Sequence, residues 1–237
     1  MNKRINFFVY GSEKIGFDVI YAKRKTMEIA VLPDRQVVIR APLGTDLIEI
    51  QKRVKKRARW INRQISHFNQ FEPRTQPRQY VSGETHLYLG RQYRLKIMKG
   101  DKDEVKLMKG RLFVILQKAR QPEMVKDCLE DWYRRKAWEK FPDIFESCLV
   151  RFQRIGLERP VLKIKKMKSR WGSLSKQQTL TLNLKLIHAP GDCIEYVIIH
   201  ELCHLKYHDH SSDFYKLMER FLPDWEKRKR RLEFVLL

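Results

Sequence analysis

The sequence predicts an α+β fold, in which a β-rich region over residues 1–118 precedes a mainly helical region over residues 119–237. In the first region, short runs rich in β-branched and aromatic residues alternate with turn residues, which is typical of strands. In the second region, apolar residues recur every three to four positions, which indicates helices buried on one face. The two patterns meet near Gln121 and Pro122. We therefore expect two domains with a boundary near residue 118.

The first domain is expected to be a mostly antiparallel β region with one long helix. The helix begins after Asp46, because Asp46 and Glu49 have the spacing of a capping box. Apolar residues from Ile50 to Ile65 occupy one face of this helix, and lysine or arginine fills most other positions. The strand candidates cover residues 17–21, 27–31, 37–40, 86–89, 92–97, 105–107 and 112–116.

The second domain is expected to contain a long aromatic-rich helix, two strands and two further helices. The long helix covers residues 121–152, and Pro142 is expected to interrupt or bend it. Residues 161–165 and 180–184 are the strand candidates. Apolar and polar residues alternate in the second of them, so one of its faces is buried. Ser211 is expected to begin the final helical segment.

The balance of charge is strongly positive, with 50 lysines and arginines against 28 acidic residues and a formal net charge of +22. Such a surface attracts polyanions, so an anionic substrate or nucleic acid is a candidate partner. A basic surface is also compatible with a protein that is merely well solvated. No compact nucleic-acid-binding motif accompanies the charge.

The cysteines and the lack of targeting signals indicate a cytoplasmic protein. The four cysteines form no CxxC pair, and we expect them to be buried and reduced. No apolar run approaches the roughly 18 residues that a membrane span requires, so we expect no membrane association. The apolar stretch near the N-terminus is too short for a signal peptide.

The segment from His200 to His204 has the pattern HExxH and carries the clearest chemical signal. In a helix, His200 and His204 project from the same face, where two imidazoles can bind one Zn²⁺ ion. Glu201 lies in a neighbouring sector, from which it can take a proton from a zinc-bound water. The pattern also occurs by chance on surface helices. The bulky apolar residues 196–199 argue for a buried helix here.

A catalytic zinc needs a third protein ligand, and two histidines follow the motif closely. His210 is the favoured ligand, because six residues after His204 allow the chain to turn back toward the metal. It also directly precedes the predicted helix cap at Ser211. His208 is the alternative third ligand.

Several further segments combine with the histidine pattern into a recognisable set. They are Ser169-Arg170-Trp171-Gly172-Ser173, Leu182-Asn183, Leu186, Pro190, the segment 196–205, His210-Ser211 and Phe214, with weaker signals at 24–26, 60–61 and 89–93. Through these residues the chain resembles the YgjP-like metal-dependent hydrolase family, grouped with the SprT and WLM zincin-type metallopeptidases. That resemblance implies a zincin-like helix–sheet–helix core, three histidine ligands at His200, His204 and His210, and Glu201 as the catalytic residue. The family usually has cysteine where this chain has Leu174.

Three functions remain open at this point. The first is a zinc metallopeptidase, in which an exposed edge strand over residues 179–185 would hold an extended peptide. The second applies the same chemistry to phosphoanhydride or nucleotide substrates. The third is a nucleic-acid-binding protein with a structural zinc, although three protein ligands leave the fourth position open, as in catalytic sites.

Arg170 is a candidate substrate-binding residue, because it precedes a predicted turn next to the active-site strand. Its guanidinium would bind an anionic or carbonyl group of the substrate. The competing interpretation is that Arg170 forms a structural ion pair while Trp171 packs in the core. Both interpretations stay open from the sequence.

Overall fold

The computed structural model describes residues 6–11, 13–32, 35–69, 78–117, 121–168 and 170–236. It confirms the α+β fold class, with eleven strands and six α-helices among the described residues. The chain divides into two compact units, residues 1–75 and residues 76–236. This division by compactness differs from the predicted domains, whose boundary near residue 118 stays a prediction.

The first unit contains a four-stranded mixed sheet. Its strands are β1 (Asn6–Tyr10), β2 (Glu13–Ala22), β3 (Glu28–Val31) and β4 (Val37–Pro42), in the spatial order β1-β2-β4-β3. β2 and β4 are parallel, whereas the two outer pairs are antiparallel. The buried core residues of this unit are Phe8, Ile15, Phe17, Val37, Ile39, Ala41, Ile50, Val54, Ala58 and Ile61.

The helix predicted as one long element is two helices, α1 (Leu47–Lys56) and α2 (Ala58–Asn69). Asp46 caps α1 as expected, because its side chain accepts a hydrogen bond from the amide of Ile48 at 3.2 Å. Arg57 separates the helices, with φ −100° and ψ 6°. Cations spaced four apart along this segment repel one another and weaken a continuous helix at this point. They are the pairs Lys52 and Lys56, Arg53 and Arg57, and Lys55 and Arg59.

The second unit begins with another four-stranded sheet of the same topology. Its strands are β5 (Thr85–Tyr88), β6 (Arg91–Lys99), β7 (Glu104–Met108) and β8 (Arg111–Leu116), in the order β5-β6-β8-β7. β6 and β8 are parallel and the outer pairs are antiparallel. Four of the six strand pairs in the two sheets are therefore antiparallel, as the mostly antiparallel prediction requires.

A long helix, α3 (Pro122–Gln153), forms the apolar centre of the second unit. It packs against the preceding sheet through aromatic contacts such as Tyr88 with Trp132, whose ring centroids lie 4.9 Å apart. Pro142 lies inside α3 and does not interrupt it. Among the described residues, no helix is both long enough and apolar enough to span a membrane.

A small three-stranded sheet follows α3, and its strand order differs from the one predicted. It contains β9 (Val161–Lys165), β10 (Gly172–Leu174) and β11 (Thr179–Asn183), in the order β10-β11-β9. β11 was expected to be an exposed edge strand, but it is the central strand, antiparallel to β10 and parallel to β9. Its buried leucines alternate with threonines because successive side chains of a strand point to opposite faces, and the helix over Gly191–Cys203 packs on one of them. β10 is an edge strand of this sheet instead.

The remaining elements are a short 3-10 helix (Leu184–His188) and the helices α4 (Gly191–Cys203), α5 (Ser212–Phe221) and α6 (Trp225–Leu236). α4 packs against α3, β10 and α6, and nine of its thirteen residues are buried. The small sheet contacts α4 through β10 and β11 and contacts α3 through β9. The zincin-like arrangement stays a prediction. The four cysteines are free, and all but Cys128 are buried.

Candidate metal centre

Helix α4 places the first two candidate ligands. His200 lies in its last turn, and His204 is its C-cap residue with φ −69° and ψ −13°, still in the helical region. The spacing of four residues therefore puts both imidazoles on one face, with ring centroids 5.1 Å apart. Both side chains are half-buried, whereas Glu201 between them is 7% exposed.

A tight turn after α4 returns His210 to the same face. The turn is closed by the amide of Tyr207, which donates to the carbonyl of Cys203 at 3.0 Å. Nε2 of His210 lies 3.1 Å from Nε2 of His200, and one nitrogen from each of His200, His204 and His210 lies within 4.8 Å of the others. His208, on the same turn, lines the adjacent cleft but is not part of this group.

The arrangement of the three imidazoles fits a divalent cation. Nitrogens bound at roughly 2.0–2.1 Å to a tetrahedral zinc lie about 3.3 Å from one another, close to the separation between His200 and His210. Without a cation, the same contact requires one of these two Nε2 atoms to carry a proton and donate it to the other. Nδ1 of His204 lies 2.9 Å from the carbonyl oxygen of Tyr207, so it is the protonated nitrogen and Nε2 is free to bind metal.

The buried ring of Phe214 packs against all three imidazoles. Its centroid lies 5.1 Å from that of His200, 4.7 Å from that of His204 and 4.8 Å from that of His210. Phe214 belongs to α5 and is completely buried. The ring therefore limits the rotation of the imidazoles and keeps their nitrogens directed at one point.

Burial and repulsion from neighbouring charges favour the neutral, metal-binding form of His200 and His210. Burial, together with the nearby His204, His210 and Lys229, lowers the pKa of His200 to about 3. The pKa of His210 is also lowered, mainly by burial and then by His204. Neutral imidazoles have free lone pairs at neutral pH, so no proton competes with a cation at these sites.

Glu201 lies in a tight pocket between α4 and β10. Burial raises the pKa of its carboxyl group to about 7, against the opposing effects of the positive charge on Arg170 and a hydrogen bond from the backbone of Leu174. A carboxylate with such a pKa is suited to accept a proton and to give it back near neutral pH. Leu174 thus interacts with the Glu201 carboxyl group through its backbone.

The side chain of Glu201 lies so close to the backbone of Gly172 that a larger residue would not fit there. A β-carbon on Gly172 would lie 2.8 Å from both Cγ and Oε1 of Glu201 and 3.0 Å from Cγ1 of Val197. These distances are shorter than van der Waals contact, so only glycine allows β10 to approach α4 this closely. The sequence showed Gly172 as part of a motif, and the structure gives the steric reason.

Gly172→Ala is expected to lower hydrolytic turnover on the order of a hundredfold, because the methyl group displaces the Glu201 carboxylate by about an ångström. Metal content should be unchanged. The matched control is Gly191→Ala at the start of α4, where an added β-carbon meets nothing within 4 Å. The measurement compares turnover and bound metal in the two variants. Full activity of Gly172→Ala would show that the position of Glu201 is not critical.

Asn183 organises the loop before β10, a role that sequence reasoning missed. Its side chain is buried and accepts hydrogen bonds from the amides of Met167 (3.3 Å) and Lys185 (3.1 Å). The side-chain nitrogen donates to the carbonyls of Met167 (3.0 Å) and Arg170 (2.7 Å). The backbone amide of Asn183 donates to the carbonyl of Trp171 (2.8 Å). The signal available in the sequence was an asparagine directly after the apolar position Leu182, because a buried amide side chain needs hydrogen-bond partners.

An open cleft of about 780 Å³ leads to the three histidines. β10, the following turn, α4 and the turn after α4 form its walls. Its charged lining residues are Arg170, Lys176 and Glu201, and both cations are exposed. Trp171 is half-buried, packs against the core and also lines the cleft. Ser169, the first residue of the predicted motif, lies outside the described residues.

Two solved structures are partly similar to this chain. The structure resembles the metallopeptidase zymogen of Pyrococcus abyssi abylysin, with 28% identity, a TM-score of 0.35, and coverage of 39% of this chain and 90% of that one. It also resembles the zymogen of Methanocaldococcus jannaschii jannalysin, with 24% identity, a TM-score of 0.37, and coverage of 41% and 98%. No curated protein matches the chain.

A family model matches a much larger part of the chain than either of these two structures does. The model for the YgjP-like metallopeptidase domain matches residues 25–234. This match covers nearly the whole sequence and includes both the loop before β10 and the three histidines. The chain therefore belongs to the YgjP-like family of metallopeptidase domains and is a metal-dependent peptidase by family.

Proposed function

We propose that this chain is a zinc metallopeptidase whose ligands are His200, His204 and His210 and whose catalytic base is Glu201. The observation that supports this most directly is the convergence of three imidazole nitrogens within 4.8 Å, beside a buried carboxylate. An all-histidine donor set suits zinc, because imidazole is one of its preferred ligands and three protein ligands leave a position for substrate. Zinc bound there would supply a Lewis acid that polarises a carbonyl group and makes water more acidic.

Glu201 would move the proton during hydrolysis. Its carboxylate accepts a proton from the attacking water as the oxygen bonds to the peptide carbon. It then delivers that proton to the leaving nitrogen, so the C–N bond breaks to give a carboxylate and an amine. The raised pKa of Glu201 suits both directions of transfer. Gly172 and the backbone of Leu174 keep the carboxylate in place for both steps.

The cleft offers groups that would orient a peptide. β10 is an edge strand of its sheet and lines the cleft through Ser173 and Leu174, so an extended peptide could pair with it. We propose that the Arg170 guanidinium binds a carbonyl or carboxylate of the substrate. Asn183 fixes the backbone of Arg170 by a hydrogen bond to its carbonyl, and Arg170 lines the cleft.

The two alternative functions have less support. Family membership favours peptide bonds over phosphoanhydrides as the substrate. A structural zinc would be enclosed by four protein ligands, whereas the group formed by the described residues has three members and opens to a cleft. Cytoplasmic location and the identity of the protein or anionic substrate stay predictions.

The experiment that tests the proposal combines metal analysis with substrate screening. Untagged protein purified without chelator is expected to contain about one zinc per chain and to cleave casein or labelled peptides. Nucleoside triphosphates, incubated under the same conditions, should remain intact. Cleavage of the triphosphates without peptide cleavage would establish the phosphoanhydride alternative. A zinc-containing protein that is inert toward both classes would support the structural alternative.

A further inference from the structure

The first unit has a second groove, which lies between β3 and the junction of α1 and α2. Two adjacent hollows of about 270 and 240 Å³ share the residues Met27, Ile29 and Arg57 as walls. Trp60 completes one hollow, and Arg53 and Lys56 complete the other. We call these six residues the basic groove. None of them belongs to the candidate metal centre.

The floor of the basic groove is apolar and partly open to solvent. Met27 and Ile29 are half-buried and pack against the core of the first unit. The side chain of Trp60 remains 37% exposed. The exposed part of this indole offers a flat apolar face beside the cations of the groove, on which a ligand ring could stack.

The rim of the basic groove is strongly cationic. Among the described residues, Lys56 and Arg57 have no ion-pair partner, while Arg53 pairs with Glu49 at 2.6 Å. The segment that forms α1 and α2 contains seven exposed lysines and arginines against Glu49 as its one acid. Like charges at this density lower the stability of the helices that carry them, so a gain in stability does not account for their presence. Its natural complement is a polyanion.

We propose that the basic groove binds single-stranded nucleic acid. Such a ligand combines a phosphate backbone, which the cations of the rim would contact, with exposed bases that can stack on Trp60. An acidic protein would satisfy the charges but would not need an exposed indole beside them. A duplex would satisfy the charges too, but its bases are stacked inside and unavailable to Trp60.

The test measures binding of the full-length chain to a fluorescently labelled oligothymidylate by anisotropy over a range of salt concentrations. Trp60→Ala is expected to weaken binding about tenfold, which corresponds to the loss of one stacked base, and Trp60→Phe should restore most of it. Lys56→Ser with Arg57→Ser should reduce the slope of log K against log salt by about 1.4, or about 0.7 for each lost phosphate contact.

Matched controls come from α3, which carries an exposed Trp138 beside Arg134 and Arg135. Trp138→Ala, and Arg134→Ser with Arg135→Ser, should leave oligothymidylate binding nearly unchanged. Equal effects of the two sets of variants would overturn the proposal in favour of diffuse attraction. Polyglutamate that binds as tightly as oligothymidylate, with the same loss in Trp60→Ala, would overturn it in favour of an acidic protein partner.

Peptidase assays on the same variants separate this inference from the proposed function. The Trp60 and Lys56/Arg57 variants should cleave a small uncharged peptide at the rate of the unchanged protein, because the groove and the metal centre share no residue. The melting temperature of each variant is measured first, and the exposed double variant Lys56→Ser with Arg57→Ser provides the test if Trp60→Ala unfolds. Absence of any oligothymidylate binding at low salt would reject the inference and leave the peptidase proposal intact.

Discussion

Glu201→Gln is expected to lower peptide turnover by roughly two to four powers of ten while leaving metal content unchanged. The substitution keeps the size of the side chain, so packing against Gly172 is preserved. The amide cannot accept a proton at neutral pH, so the attacking water keeps its proton and the leaving nitrogen receives none. The residue is not one of the three converging ligands, so the metal should remain bound.

The measurement is turnover of a labelled peptide together with zinc content and melting temperature. Glu219→Gln, which neutralises an exposed carboxylate on α5, serves as the control for the change in charge. Because the control lies outside the cleft lining, its turnover should be unchanged. Either full activity or loss of zinc in Glu201→Gln contradicts the role of proton carrier.

His210→Ala is expected to lower both zinc affinity and turnover, each by more than about a hundredfold. Loss of a partner that merely orients a ligand already costs about 10 to 100-fold in affinity, and loss of the ligand itself costs more. His208→Ala is the matched control, because His208 lies on the same turn and is equally exposed but is not within the ligand group. The pair therefore separates ligation from general effects on the turn.

Zinc content after dialysis against a weak chelator distinguishes the two variants directly. The unchanged protein and His208→Ala should retain the metal, and strong chelation should lower their melting temperatures, because bound metal stabilises the native state. His210→Ala should melt at the same temperature with or without chelator. Loss of zinc from His208→Ala, with retention in His210→Ala, would make His208 the third ligand.

The parts of the site that are local in sequence could be predicted well. The separation of His200 and His204 by four residues fixes their shared face through helix geometry alone. The return of His210 needed only a short turn, and Ser211 is observed as the N-cap of α5. The hairpin at Lys109 and Gly110 and the boundaries of β9 followed from turn residues and alternation in the same way.

Features that depend on long-range pairing could not be predicted in the same way. The alternation in β11 showed that one face is buried, but strand order depends on which partners arrive from elsewhere in the chain. For this reason β11 was predicted to be an edge strand, whereas it is the central strand of its three-stranded sheet. The division of one predicted helix at Arg57 was missed for a different reason, because apolar periodicity continues across the break while the charges repel.

The sequence by itself determined the fold class and the shared face of His200 and His204, because these depend on residue types at short, fixed spacings. It indicated the family through a resemblance, and it favoured His210 over His208 as the third member of the group, which the structure then showed. Only the tertiary structure showed that Gly172 gives space to Glu201, that Asn183 holds the loop of Arg170, and that Phe214 supports the imidazoles. Each of these contacts joins residues from different elements. Such contacts depend on packing, which places side chains within a few tenths of an ångström and which no pattern along the chain specifies.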